Sequence, residues 1–125
     1  MRRLLCYTLD VKRGRRQVVR VPTSLPVEWG LTPKYEYNGK ITSLSHGGCL
    51  LQTIAIQPLF DKTIHIRVPL PDHEWWEMRG TVLYYLRDIG FGVEFSDLTD
   101  EDTSTLRQLM QYYREHPPDS PTGRI

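Results

Sequence analysis

Trp75-Trp76-Glu77-Met78-Arg79-Gly80-Thr81-Val82-Leu83-Tyr84-Tyr85-Leu86 is followed by Arg87-Asp88-Ile89-Gly90 and then by Phe91-Gly92-Val93-Glu94-Phe95. Two runs of alternating character separated by a short glycine-ended break are the pattern of a β-hairpin. In the first run Met78, Gly80, Val82 and Tyr84 fall on one face, and Glu77, Arg79, Thr81 and Tyr85 on the other. In the second, Phe91, Val93 and Phe95 share a face. Adjacent strand residues point to opposite sides, so only one of Trp75 and Trp76 turns inward. The other is a large outward aromatic, covered by a helix or arm or offered to a partner.

The same alternation extends upstream. Ile64, Ile66, Val68 and Leu70 against Thr63, His65 and Arg67 form a half-buried strand, and Pro69 and Pro71 end it. A strand at about 35–43 and the apolar run Cys49-Leu50-Leu51-Gln52-Thr53-Ile54 flank Ser45-His46-Gly47-Gly48. Paired glycines there permit positive φ and a close approach of backbone. A first strand starts at Val21 with Val27 and Trp29 on its buried face. Its Pro22 and Pro26 confine it to an edge or a bulge, because proline donates nothing to a ladder. Five or six short strands punctuated by glycine and proline predict a mainly β protein, a small antiparallel barrel whose closure disposes of exposed edges.

One helix is predicted at about 99–116. Thr99 and Asp102 have capping-box spacing, and Leu106, Leu109, Met110 and Tyr113 recur at helical intervals as a stripe to pack on the barrel. Beyond it, residues 117–125 hold too little apolar content to fold and are read as a disordered tail. Residues 1–14 are read as an N-terminal arm, with a short extra strand at 7–11, and 15–116 as the domain.

A length of 125 residues fits one domain, and a net charge of +1 lacks the basic surplus of a general nucleic-acid binder. No apolar run approaches bilayer-spanning length and no export signal is evident, which predicts a cytoplasmic protein without membrane insertion. Cys6 and Cys49 form no metal knuckle, and His46, His65, His73 and His116 have no zinc-site spacing. They are read as surface or turn histidines. Nucleophile-elbow, P-loop and dinucleotide fingerprints are absent, so no metal, cofactor or catalysis is expected.

Charge is instead local. Gly14-Arg15-Arg16-Gln17-Val18-Val19-Arg20-Val21-Pro22 sets three arginines within six positions at the seam between arm and domain. Guanidinium suits two-pronged recognition of phosphate oxygens and of the O6/N7 edge of guanine. In an extended chain Arg16 and Arg20 project on the same side about 13 Å apart, close enough to grip one multi-pronged ligand. Ser43, Ser45 and the amides of the Gly47-Gly48 turn supply neutral hydrogen bonds to base edges or phosphate. Taken singly, the basic run reads as a solvated arm and the serine-glycine segment as an ordinary turn. Their order in the chain is what separates them from those readings.

That order resembles the PilZ domain family, whose signature is RxxxR followed by [D/N]xSxxG on a six-stranded split barrel with a C-terminal helix. Arg16-Gln17-Val18-Val19-Arg20, then Ser45-His46-Gly47-Gly48, then Gly90-Phe91-Gly92-Val93-Glu94-Phe95 ahead of a helix carry the resemblance over about 15–113. It implies binding of the bacterial second messenger cyclic di-GMP. Arg16 and Arg20, assisted by Arg15, would meet guanine edges and phosphates. Ser45 would bond the ligand, and Gly48, with Gly47, would permit the turn. The family's Asp or Asn is Ser43 here, which offers one oxygen where a carboxylate offers two. Losing one such bond costs about 1 to 3 kcal/mol, a factor of roughly five to a hundred in affinity.

Three functions follow as expectations. The first is a nucleotide receptor whose arginine loop becomes ordered on the ligand and presents a new surface to a downstream protein. A second is a ligand-independent adaptor of the same fold, motivated by Ser43 and the outward tryptophan. The third is a single-stranded nucleic-acid binder built on barrel aromatics, which the near-neutral charge opposes. Monomer and homodimer both stay open.

Overall fold

The computed structural model describes residues 19–54 and 61–118. Within them the chain forms β1 (Val21–Gly30), β2 (Tyr37–Leu44), β3 (Gly48–Gln52), β4 (Thr63–Pro69), β5 (Trp75–Leu86), β6 (Gly90–Ser96) and α1 (Asp100–Glu115). The six strands close into an antiparallel barrel in the order β1-β2-β3-β6-β5-β4, so the hairpin of β5 and β6 supplies two adjoining staves. Closure occurs where β4 meets β1 opposite Glu28, Trp29 and Gly30.

That short closing contact explains how β1 tolerates its prolines. Pro22 and Pro26 pair across to Ser43 and Lys40 of β2, and β4 does not extend to either of them. Thr23 keeps the inward parity of Val21, Leu25, Val27 and Trp29, and beside the bulge between Pro22 and Leu25 its hydroxyl donates to the Ile41 carbonyl at 2.6 Å. The buried hydroxyl is therefore satisfied within the barrel wall.

The barrel interior is filled by the alternating residues of all six strands. Ile41, Leu51, Ile64, Ile66, Val82 and Phe91 are wholly buried. Trp29 meets Phe91 edge-on at 5.5 Å between ring centroids. Strict alternation along β5 fails at one place: a bulge between Val82 and Tyr84 resets the parity. Tyr85 turns in against Phe91, with ring centroids 6.0 Å apart, and Tyr84 is left exposed. Tyr84 therefore leaves the face that the sequence pattern gives it with Met78, Gly80 and Val82, because of an extra residue, Leu83, that no period-two pattern announces.

Helix α1 begins at the predicted capping box. The Asp102 amide donates to Thr99 Oγ1 and the Thr99 amide to Asp102 Oδ2, each at 3.0 Å. Leu106 and Met110 are fully buried against the barrel, a contribution of about 3 to 6 kcal/mol to holding the helix there. Tyr113 fixes the other end by donating its hydroxyl to the Ser24 carbonyl at 3.1 Å.

Between the two tryptophans the structure chooses Trp76 for the interior and leaves Trp75 outside. The Trp76 indole N–H donates to Asp102 Oδ1 at 3.0 Å, so the residue that caps α1 also ties it to β5. Trp76→Phe should destabilise the domain by about 1.5 kcal/mol, the lower end of the range for a charged hydrogen bond because Asp102 is half-exposed. Urea unfolding checks this, and Asp102→Asn should cost more, since it weakens cap and bridge together. Trp75 carries the Arg67 guanidinium 4.2 Å above its ring, and the same guanidinium lies 4.7 Å from the Tyr35 ring. Arg67 Nε also donates to Glu28 at 2.8 Å, which locks this outer stack across β1, β4 and β5.

Candidate functional site

The turn joining β2 to β3 is built on one hydroxyl. Ser45 Oγ accepts the Gly48 amide and donates to the Gly48 carbonyl, both at 3.2 Å, while the Ser45 amide donates to that carbonyl at 2.9 Å. A hydroxyl carries one donor and two acceptor sites and performs both tasks at once. Ser45 is consequently buried, with its side chain turned into the turn. His46 and Gly47 at the tip are exposed, and the Gly47 carbonyl accepts the Phe95 amide at 2.8 Å, which fastens the tip to β6.

The two glycines have different work. Among the described glycines only Gly90 has positive φ, so neither Gly47 nor Gly48 uses the left-handed freedom anticipated for them. Gly48 instead serves close approach, since a Cβ there would collide with the Val93 carbonyl oxygen of β6. At Gly47 a Cβ would meet nothing within 4 Å.

Arg20 stands beside this turn. Val21 is paired with Leu44, and continuing that register by one residue sets Arg20 against Ser45. The thiol of Cys49, next to Gly48, reports the same proximity. Burial pushes it up to about 12 while the Arg20 charge pulls it down. Arg20 is exposed and forms no ion pair among the described residues. Ser43, half-buried, lies opposite Pro22 and Leu50 on the same pair of strands. Arg20, Ser43 and the Ser45–Gly48 turn therefore gather at one end of the β1-β2-β3 side. Arg15 and Arg16 lie outside the described residues, as do the arm at 1–14, the short strand at 7–11 and residues 119–125 of the tail.

Cys49 is a packing residue at the edge of this site. A thiol raised to about 12 is protonated at neutral pH, and its unfolded counterpart ionises earlier. Its contribution to stability is present below the ordinary thiol range and is lost as pH rises toward 12. At pH near 8, iodoacetamide should modify Cys49 in the native protein at least about 100-fold more slowly than in urea, read by peptide mass spectrometry. Equal rates would mean that the β3 end is open.

No three His, Cys, Asp or Glu side chains converge as metal ligands among the described residues, and no described helix is long and apolar enough to cross a membrane. What the site offers is a guanidinium without an ion pair among the described residues, hydroxyl oxygen and a backbone turn facing solvent, groups that suit an anionic, hydrogen-bonding guest.

The described chain is thus a closed six-stranded barrel with a capped C-terminal helix and an arginine set against a Ser-x-x-Gly turn. The sequence matches the PilZ domain over residues 14–112, and the chain belongs to that family, whose members are typically non-catalytic receptors. Solved structures agree on the fold. The PilZ domain of YcgR from Escherichia coli, solved with cyclic di-GMP, superposes with a TM-score of 0.67 at 11% identity, over 82% of this chain and 93% of that one. The Bacillus subtilis inhibitor of motility MotI/DgrA gives 0.64 at 20% identity over 83% of this chain. This chain spans about half of its length, 53%. The PilZ domain of CeSA from a cellulose-synthesizing bacterium gives 0.62 at 19% identity, over 77% and 98% of the two chains. Among proteins of curated function, none matches the sequence.

Proposed function

We propose that this chain is a cytoplasmic receptor for cyclic di-GMP that binds the nucleotide at the β1-β2-β3 end of the barrel. The observation that carries the reading is the placement of Arg20, exposed and without an ion pair among the described residues, against the Ser45–Gly48 turn of a PilZ domain. Arg20 supplies a fork for phosphate or guanine O6/N7, and Arg15 and Arg16 of the preceding segment add two more. The exposed tip at His46 and Gly47 presents backbone to the ligand, Gly48 lets β3 lie close on β6, and Ser45 holds the turn in shape. Cyclic di-GMP has two phosphates and two guanine edges, which matches several guanidinium groups converging on one guest. Fixing the arginine segment costs about 1 to 2 kcal/mol per residue, so the charged contacts must exceed that sum. The ordered segment then forms the surface read by a downstream protein.

Calorimetric titration with cyclic di-GMP tests the reading. Saturable heat with a micromolar or tighter dissociation constant is expected. Folded protein that gives no heat at high micromolar nucleotide would remove it in favour of the adaptor. Ser43→Asp restores the second acceptor oxygen and should tighten binding about fivefold or more, as expected when one hydrogen bond is regained.

The adaptor reading keeps one specific observation on its side, Ser43 in the place of Asp or Asn. Under it, a protein partner would be retained irrespective of nucleotide and of Arg20→Ala.

A further inference from the structure

Away from the arginine end, the face of α1 that is turned from the barrel core borders a groove of about 1250 Å³. Its opposite wall is the loop from β4 to β5. Leu25, Pro26, Trp76, Leu109 and Tyr113 contribute apolar surface, and Trp75 and Tyr112 stand beside them at 43% and 53% exposure. The polar border is of one sign. Asp72, Glu74, Glu77, Glu101 and Asp102 line the groove, and among the described residues no lysine, arginine or histidine does. Asp102 is engaged by the helix cap and by Trp76, and Asp72 accepts the Glu74 amide at 3.1 Å. Glu74, Glu77 and Glu101 are exposed and form no ion pair among the described residues.

The wall is preformed. The Leu70 amide donates to the Glu74 carbonyl at 2.8 Å and the His73 amide to the Leu70 carbonyl at 3.0 Å, and Pro69 and Pro71 stiffen the approach. Preformed concave surface lowers the ordering cost of binding. One-sided charge around an apolar floor sets the sign of the occupant. It excludes a nucleotide or an anionic membrane surface and favours a cation with apolar anchors. Arg67 over Trp75 shows that guanidinium is already accommodated on one of the exposed aromatics of this neighbourhood.

From this charge complementarity we infer that the groove between α1 and the β4–β5 loop docks a cationic peptide segment of a partner protein. In that segment arginine or lysine would alternate with apolar residues. The surface is separate from the arginine end and does not require that the nucleotide bind.

A fluorescein-labelled peptide of alternating arginine and leucine, and its counterpart with glutamate for arginine, serve as probes on the full chain. The cationic peptide should raise the anisotropy with a dissociation constant on the order of 10 to 100 µM, ordinary for a short segment in a small interface. Affinity should fall at least about fivefold between roughly 0.02 and 0.3 M salt. The Trp75 and Trp76 indole resonances should shift on binding. E74K with E101K should weaken it at least about tenfold, and the milder E101Q by less, with far-UV circular dichroism unchanged. Heat from cyclic di-GMP should be the same in these variants, so failure of the groove and failure of the nucleotide site are read separately. Equal binding of the glutamate peptide, indifference to the charge reversals or unmoved indole resonances would overturn the inference. It would also be overturned if R2E with R3E shifted those indoles in the absence of peptide, because the chain's own N-terminal segment would then be the occupant. Concentration-dependent dimerisation abolished by E74K with E101K would overturn it in favour of a second copy.

Discussion

Arg20→Ala should raise the dissociation constant for cyclic di-GMP by about 10- to 100-fold while leaving the melting temperature of the free domain within a degree or two. The first half follows from what a guanidinium does for an anion: losing a charge-assisted contact costs about 1.5 to 3 kcal/mol, and each 1.4 kcal/mol is a factor of ten. The second half follows from where Arg20 sits. It is exposed and has no ion pair among the described residues, so its removal strands no buried partner. Surface changes of that kind shift stability by about 0.5 kcal/mol or less. Arg20→Lys separates charge from shape, since lysine keeps the former and loses the two-pronged fork, and its affinity should fall between the two. Calorimetry gives the affinities, and thermal melts with and without nucleotide give the same ratio through the ligand-induced shift. Unchanged affinity in Arg20→Ala would move the site away from the Ser45–Gly48 turn. A large loss of stability would instead show that Arg20 is a structural residue, and its binding defect would then say nothing about contact.

Chain order and the family resemblance pointed to Arg20 and the turn together, and the pairing of β1 with β2 then gives the residue before Val21 one place to be. The β5–β6 hairpin was legible for a similar reason, since alternation from Trp75 to Val82 leaves one solution. Thr99 and Asp102 announced the start of α1 because capping is local chemistry. What escaped was decided between segments. The bulges at 22–25 and at 82–84 depend on partner strands, and the second moved Tyr84 outward and Tyr85 inward. Ser45 carries the right chemistry for a ligand contact, yet its buried engagement with Gly48 is visible only once the turn is closed. Trp76 over Trp75 is already set by the parity of Met78, Gly80 and Val82, and only its bond to Asp102 depended on α1 arriving above β5. The acidic groove was hidden for the same reason, because Pro26, Glu74 and Glu101 come from three separate parts of the chain.

Gly48→Ala, set beside Gly47→Ala, should give a large difference in stability for a methyl added at two adjacent positions. A Cβ on Gly48 would be driven into the Val93 carbonyl oxygen, and both atoms belong to backbone that is held by the pairing of Gly48 with Glu94 and Cys49 with Val93. A flexible side chain could rotate away from such a contact, but a paired strand cannot. Relief requires that β3 separate from β6 at their common end, which also loosens the Gly47 carbonyl from the Phe95 amide. Inserting volume into a tight site costs about 1 to 3 kcal/mol, and a backbone collision belongs at the upper end. For a domain near this size, a loss of about 3 kcal/mol lowers the melting temperature by roughly 10 °C or more. Gly47→Ala places its methyl in open space and should melt with the parent protein. The same comparison bears on the ligand, because a turn prised off β6 no longer presents its tip beside Arg20. Nucleotide heat should therefore shrink in Gly48→Ala even at temperatures where the variant is folded. Coincident melts for the two alanine variants would mean that β3 and β6 do not approach as closely as the barrel requires.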